Sequence, residues 1–314
     1  MKYSDFFYKK SSRIVLGTAY FGDGIGEKES FEIMDKYVSL GGTHIDTARL
    51  YADGISEEIV GKWVRSRKAC DIQVSTKGGF PTKDNPEKGR LSEKEIREDL
   101  EKSLKALGID AIDFYWLHQD DETKSAGEIV ETMNSLINEG MIRAFGVSNW
   151  TTKRIEEAID YSSTKGLKGP SASQLRFNPA VMNEKGLISR LVGMNKDSFE
   201  FYKKNKIPVL AYSSQAKGFF SKMAQQGENA LSEKAKLRYL NDENLKTLEV
   251  LKELAEKYSC SIASVICGAF SSIEEPEVFP LIGGRTPAQI EDSMNGGNVI
   301  LSQDEIKRIF SFII

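Results

Sequence analysis

Short apolar runs rich in β-branched and aromatic residues recur along the chain, and most are followed by a stretch of helical periodicity. The runs predict strands at residues 14–17, 43–46, 72–77, 112–118, 142–148, 171–175, 208–212 and 278–282. Apolar residues at helical spacing predict helices at 29–40, 57–67, 93–107, 126–139, 151–163, 198–205 and 243–258. A further apolar segment covers 262–270, with short helices at 287–294 and 303–310. The helix at 93 opens on Ser92 and Glu95, a capping box, and closes before Gly108. Strands alternating with helices pair in parallel. Eight of them favour a closed (β/α)8 barrel over an open doubly wound sheet. No linker or low-complexity tract divides residues 1–314, which read as one α/β domain. The long connection is 213–241, after the seventh strand, and loops of that length in compact domains are usually functional or mobile.

Polar residues with chemical potential stand at the ends of these runs. Asp46 and Tyr51 follow the second, Lys77 ends the third and His118 ends the fourth. A barrel brings the ends of different strands to one face, whereas an open sheet concentrates its site at one switch point. A free phenol has a pKa near 10, and a neighbouring ammonium stabilises its phenolate. Tyr51 beside Lys77 would therefore be a proton donor, with Asp46 holding Lys77 and His118 orienting the substrate oxygen. Taken singly, Tyr51 reads as a turn residue and Lys77 as a solvated strand end; four convergent groups read as a site. His44 shares a strand face with Asp46. With only two histidines in the chain, a metal pair there lacks nitrogen ligands, and His44 reads as a packed, hydrogen-bonded barrel residue.

Later strand ends carry Ser148, Asn149 and Gln174, which suit a carboxamide, and Tyr212, which could stack on a planar ring or simply pack. Gly283, Gly284 and Arg285 precede a helix at Pro287, either an anion site or an ordinary turn. The glycines of 22–26 have the wrong spacing for a dinucleotide fingerprint and read as a flexible loop. Hydrophobic content of 40% and charge of 28% indicate a folded core, and a net charge of −3 gives no reason to expect nucleic acid or anionic membrane. No apolar run would span a bilayer, residues 1–10 lack a signal core, and Cys70, Cys260 and Cys267 form no metal pattern. Cys260 and Cys267, about two helical turns apart, are expected to face the core. A cytoplasmic location is the expectation.

Taken together, Asp46-Thr47-Ala48-Arg49-Leu50-Tyr51, the following Gly54, Ser56, Glu57 and Gly61, Ser75-Thr76-Lys77, Leu117-His118, Gly146-Val147-Ser148-Asn149, Gln174 and Ala211-Tyr212-Ser213 resemble the motifs of the aldo-keto reductases. The resemblance runs from about Gly17 to Met294. It implies a single TIM barrel binding NADPH, with NADH less favoured, and reducing a small-molecule carbonyl. It also implies Tyr51 as proton donor, Lys77 and Asp46 as its tuning pair and His118 as the orienting group. On the cofactor side it implies Gly17, Thr18 and Asp46, then Ser148, Asn149 and Gln174 on the nicotinamide amide, with Tyr212 stacking on the ring. Ser213, Ser214, Gln215, Lys217 and Gly218 would approach the pyrophosphate. Gly283, Gly284 and Arg285 would lie near the 2′-phosphate, and Gln289 and Asp292 near the adenine. The chain departs from the family at Gln289 and at Asp292-Ser293, where Glu-Asn is frequent. The short 300–314 segment implies an open pocket, with Arg49, Tyr20, Phe21 and Trp150 as possible lining, although packing explains them nearly as well. Three rivals share the residues: a Schiff-base aldolase using Lys77, a metal hydrolase using His44, Asp46 and His118, and a cofactor-holding redox sensor or accessory subunit with little turnover.

Overall fold

In the computed structural model, which describes residues 1–69, 71–187 and 190–314, eight parallel strands close into a barrel. A hairpin of β1 (Tyr3–Ser4) and β2 (Ser11–Ser12) precedes them. The barrel runs β3 (Val15–Gly17), β4 (His44–Asp46), β5 (Gln73–Gly78), β6 (Phe114–Leu117), β7 (Phe145–Ser148), β8 (Ser173–Arg176), β9 (Val209–Tyr212) and β10 (Val278–Ile282), with β10 returning to β3. Helices α1 (Glu27–Ser39), α2 (Ile55–Arg67), α3 (Glu93–Leu107), α4 (Ala126–Asn138), α5 (Thr152–Lys165) and α6 (Lys196–Lys204) follow the first six barrel strands in turn. Each expected strand is present within a few residues of its predicted bounds. The capping box at Ser92 and Glu95 forms, and Gly108 ends α3 with φ 63°.

Strand alternation separates two cores. Inside the barrel, Val15, Phe114, Trp116, Ala172, Leu210 and Phe279 pack with Phe7 from the hairpin. Phe7 meets the rings of Phe114 and Phe279 edge-on at 5.1 and 5.2 Å, stoppering the N-terminal end. Outside, Ile45, Val74, Tyr115, Leu117, Val147 and Leu175 bury against the helices. These rings close the N-terminal end, where the buried His44 ring also meets Phe7 at 4.9 Å.

The connection at 213–241 is not the open loop its charges suggest. It winds into a turn at Ala216–Gly218, then α7 (Phe219–Gln226) and α8 (Glu233–Tyr239), ahead of α9 (Asp242–Lys257) and α10 (Ile262–Ser272). Buried Phe219, Phe220 and Tyr239 anchor these turns, with the Phe219 and Tyr239 rings 5.7 Å apart. The glycine-rich 22–26 segment is likewise a hydrogen-bonded turn, with Gly22 N donating to Ile25 O at 2.8 Å and Asp23 N to Tyr20 O at 3.1 Å. Cys267 is buried in α10, whereas Cys260 is half-buried in the turn before it; Cys70 lies outside the described residues. The chain then adds α11 (Pro287–Asn295) and α12 (Gln303–Ile309). No helix among the described residues is long and apolar enough to cross a membrane.

Gly61 shows how closely the outer layer is packed: a Cβ there would overlap the backbone of Leu107 at the end of α3. Gly61→Ala should therefore lower the unfolding midpoint. Overpacking of about 1–3 kcal/mol outweighs the roughly 1 kcal/mol gained in helix propensity. An unchanged or raised midpoint in urea would mean that α2 and α3 can separate freely.

Candidate active site

The C-terminal ends of the barrel strands bring the predicted residues to one mouth. Gly17 ends β3, Asp46 ends β4, Ser148 ends β7 and Tyr212 ends β9. Lys77 and Gln174 lie inside β5 and β8, and His118 and Gly283 lie one residue past β6 and β10.

Lys77 is the hub. It and Asp46 have no solvent exposure, and Nζ donates to Asp46 Oδ2 at 2.5 Å, Thr47 O at 2.8 Å and the Tyr51 hydroxyl at 3.3 Å. All three N–H bonds of an ammonium are thereby used. Burial works against its charge, but the carboxylate of Asp46 and the phenol of Tyr51 more than offset this, and its pKa is raised. A Schiff-base role would need a free amine, whereas all three N–H bonds of Lys77 are engaged here. Asp46 is held in turn by Ser75 Oγ at 2.7 Å and Gln174 Nε2 at 3.4 Å, both donating to Oδ1.

Tyr51, half-buried, opens a single turn of tight helix, Tyr51–Gly54, in which Ala52 and Asp53 take positive φ. Arg49 braces that turn by donating to the Asp53 carbonyl and, at 2.7 Å, to Glu57 Oε2. Glu57, buried, also accepts from Thr76 at 2.6 Å. Arg49 is therefore a strut of the site. His118 stands edge-on to Tyr51, ring centroids 6.1 Å apart, and Phe80 covers it at 4.9 Å. Burial and then the charge of Lys77 depress its pKa well below the ordinary value, so its imidazole is neutral, and Nδ1 has no partner among the described residues. Phe21 and Trp150, expected as pocket lining, are buried in the core, and Arg154 stacks on Trp150; Tyr20 is exposed. Phe80 escaped the sequence reading because it lies beyond its strand. Ser75 was legible in principle, sharing the face of Lys77 by strand alternation.

On the other side of the mouth, Asn149, at φ 59°, is a junction. Its amide nitrogen donates to Ser148 Oγ and His118 O, and its Oδ1 accepts from the Tyr212 hydroxyl at 2.7 Å. Thr18 is occupied within the fold by Ser56 Oγ at 2.8 Å and Asp46 O at 3.2 Å. Ser213 takes φ 52°, Ser214 Oγ donates to Leu281 O, and Gln215 Nε2 donates to Ser293 Oγ at 2.9 Å. Lys217, also at positive φ, precedes Gly218 at the start of α7. Burial, then Arg238 and Lys234, lower the pKa of Lys217. Among the described residues none of these three cations has an acidic partner, and Lys234 and Arg238 were not singled out from the sequence. Arg285 stacks on Tyr20 at 5.0 Å and donates to Gly24 O at 3.3 Å, while its backbone N–H donates to Gln289 Oε1 at 2.7 Å. Asp292 lies on α11 and its carbonyl accepts from Ser264. Gly283 and Gly284 form the turn between β10 and α11. Among the described residues no three His, Cys, Asp or Glu side chains converge as metal ligands.

A model of the Aldo/keto reductase family matches residues 13–314. The chain is 27% identical to an aryl-alcohol dehydrogenase of Pestalotiopsis microspora, over 94% of its own length and 75% of the relative. It is 26% identical to a norsolorinic acid reductase of Aspergillus flavus, over 95% and 76%. It is 30% identical to a probable voltage-gated potassium channel subunit beta of Oryza sativa subsp. japonica, over 89% and 85%.

Burial makes both histidines neutral in the fold, His44 with a pKa lowered to about 3. Because the folded values lie below the unfolded ones, unfolding takes up protons as pH falls through about 6.5, and stability is lost on acidification. Between pH 7 and pH 5 His44 should cost about 2 kcal/mol, and His118 adds a loss of the same sign. His118→Phe should therefore lose less stability than the wild type over that interval in urea titrations. Equal losses would place a charged His118 in the folded state.

Proposed function

Since the chain belongs to the Aldo/keto reductase family, we propose that it is an NADPH-dependent reductase of aldehydes, ketones or sugar carbonyls with Tyr51 as proton donor. The observation that carries this reading is the set of three bonds from Lys77 to Asp46, Thr47 and Tyr51. Because Lys77 donates to the phenol oxygen, the proton of Tyr51 remains free for a substrate. NADPH, when bound, supplies the hydride. Tyr51 transfers its proton to the carbonyl oxygen, and the ammonium of Lys77 stabilises the phenolate left behind. Neutral His118, with its proton on Nε2, donates a second hydrogen bond that orients the oxygen. Phe80 covers His118 and helps exclude water.

The residues present fit the cofactor. Neutral amide and hydroxyl groups at Ser148, Asn149 and Gln174 match a carboxamide, and Tyr212 offers a ring face at the end of β9. Lys217, Lys234 and Arg238 match phosphates. Arg285 supports NADPH over NADH, since its present bond is to a backbone carbonyl that a phosphate can outcompete. A second reading, an accessory subunit that holds cofactor but turns over poorly, is favoured by the rice relative named as a channel subunit.

Initial rates of NADPH and NADH oxidation against small aldehydes, dicarbonyls and open-chain sugars test both. Tyr51→Phe should lower kcat by about 10²–10⁴-fold with NADPH affinity retained. Arg285→Ala should weaken NADPH more than NADH. NADPH binding without turnover on any carbonyl would favour the accessory subunit, and equal loss of binding and turnover in Tyr51→Phe would make Tyr51 structural.

A further inference from the structure

His44 and Ser75 lie beneath the proton donor; Ser75 holds Asp46, and His44 has no part in the chemistry above. His44 is buried within the barrel, between the hairpin and the mouth. Its Nδ1 lies 3.0 Å from Ser11 Oγ and its Nε2 lies 3.0 Å from Ser75 Oγ. Ser75 Oγ is 2.7 Å from Asp46 Oδ1, and Asp46 Oδ2 is 2.5 Å from Lys77 Nζ. An unbroken file of polar contacts therefore joins the N-terminal hairpin to Tyr51.

The donors in this file can be assigned by elimination. A carboxylate only accepts, so the single proton of Ser75 points to Asp46. Ser75 Oγ must then accept from His44, which places the imidazole proton on Nε2. His44 Nδ1 is left as an acceptor, and the hydroxyl of Ser11 donates to it. The amide nitrogen of Gln73 lies 3.3 Å from Nδ1 and 3.4 Å from Nε2, so the assignment rests on Ser75 and not on Gln73. Lys77 donates at the far end. Every bond runs in one direction along the file until Asp46, where the two halves meet.

We propose that His44 and Ser75 are positioning residues for proton transfer: the file from Ser11 through His44 and Ser75 locks the carboxylate of Asp46, and so aims Lys77 at the hydroxyl oxygen of Tyr51. Resting on the reductase reading, this inference explains why the barrel keeps a histidine between Phe7 and the charged pair. His44 stays neutral because burial depresses its pKa to about 3, so it serves as a fixed dipole. Apolar packing alone would be met equally by a leucine.

The test uses the fact that the chain has two histidines. Nitrogen-15 spectra of the wild type, assigned with His118→Phe, should show His44 as the neutral Nε2–H tautomer between pH 5 and pH 8. Ser75→Ala should weaken that preference, leaving only the bond from Ser11 to sustain it, and lower kcat about tenfold, with KM for the carbonyl and NADPH affinity within about twofold. His44→Gln, which keeps a donor toward Ser75, should retain more of kcat than His44→Leu. An Nδ1–H tautomer in the wild type overturns the proposal without any variant. So does a Ser75→Ala protein with unchanged tautomer and kcat, or equal kcat in the glutamine and leucine variants. Loss of turnover on every carbonyl would sink the reductase reading while leaving the tautomer measurement intact.

Discussion

A lysine and an aspartate without solvent contact set the terms for the rest of the site. Desolvating two charges costs several kcal/mol each, and their attraction seldom does more than offset it. The Lys77–Asp46 pair is tolerable because other bonds support both charges: Thr47 and Tyr51 complete the ammonium, and Ser75 and Gln174 donate to the carboxylate. Such a pair contributes little to stability and much to placement. Its geometry dictates where Tyr51 can stand, and the strained turn from Tyr51 to Gly54, braced by Arg49 and Glu57, brings the phenol to it.

The barrel supplies the two environments this arrangement needs. At the N-terminal end Phe7, Phe114 and Phe279 seal the interior with aromatic edges, excluding water from beneath the charges. Toward the C-terminal end several strands contribute one or two polar groups each, so groups distant in sequence converge with no single segment carrying them all. His118 is affected by both. Burial and the neighbouring ammonium keep it neutral, which suits it to donate a hydrogen bond without accepting a proton. Near α7 and α8 the field is positive instead, with Arg238 and Lys234 close enough to Lys217 to lower its pKa together with burial.

Much of this was legible in the chain. Eight β-rich runs alternating with helical periodicity specify a parallel barrel, and Asp46, Tyr51, Lys77 and His118 stand out because polar groups interrupt apolar strands near their ends. The pairing of Asp46 with Lys77 and the packed, hydrogen-bonded role of His44 follow from strand alternation and histidine scarcity. What escaped depended on tertiary contacts. The helices within 213–241 are short and charged, and become stable only because Phe219, Phe220 and Tyr239 bury against the body of the protein. Phe80 has no periodic signal at all, since its placement over His118 is set by the path of a loop. The Gly22 and Gly24 turn looked flexible because glycines are ambiguous in sequence, whereas here they take positive φ in a bonded turn.

The central claim is spatial: one oxygen, accepting from both Tyr51 and His118, sits where hydride can reach its carbon. A crystal structure of the protein with NADP⁺ and a carbonyl ligand measures this directly. The account predicts the ligand oxygen within about 3 Å of both the Tyr51 hydroxyl and His118 Nε2. It also predicts the nicotinamide carboxamide against Ser148, Asn149 or Gln174, and Lys77 still bonded to Asp46. A carbonyl oxygen bound away from Tyr51, or a nicotinamide directed outside the mouth formed by these strand ends, would contradict it.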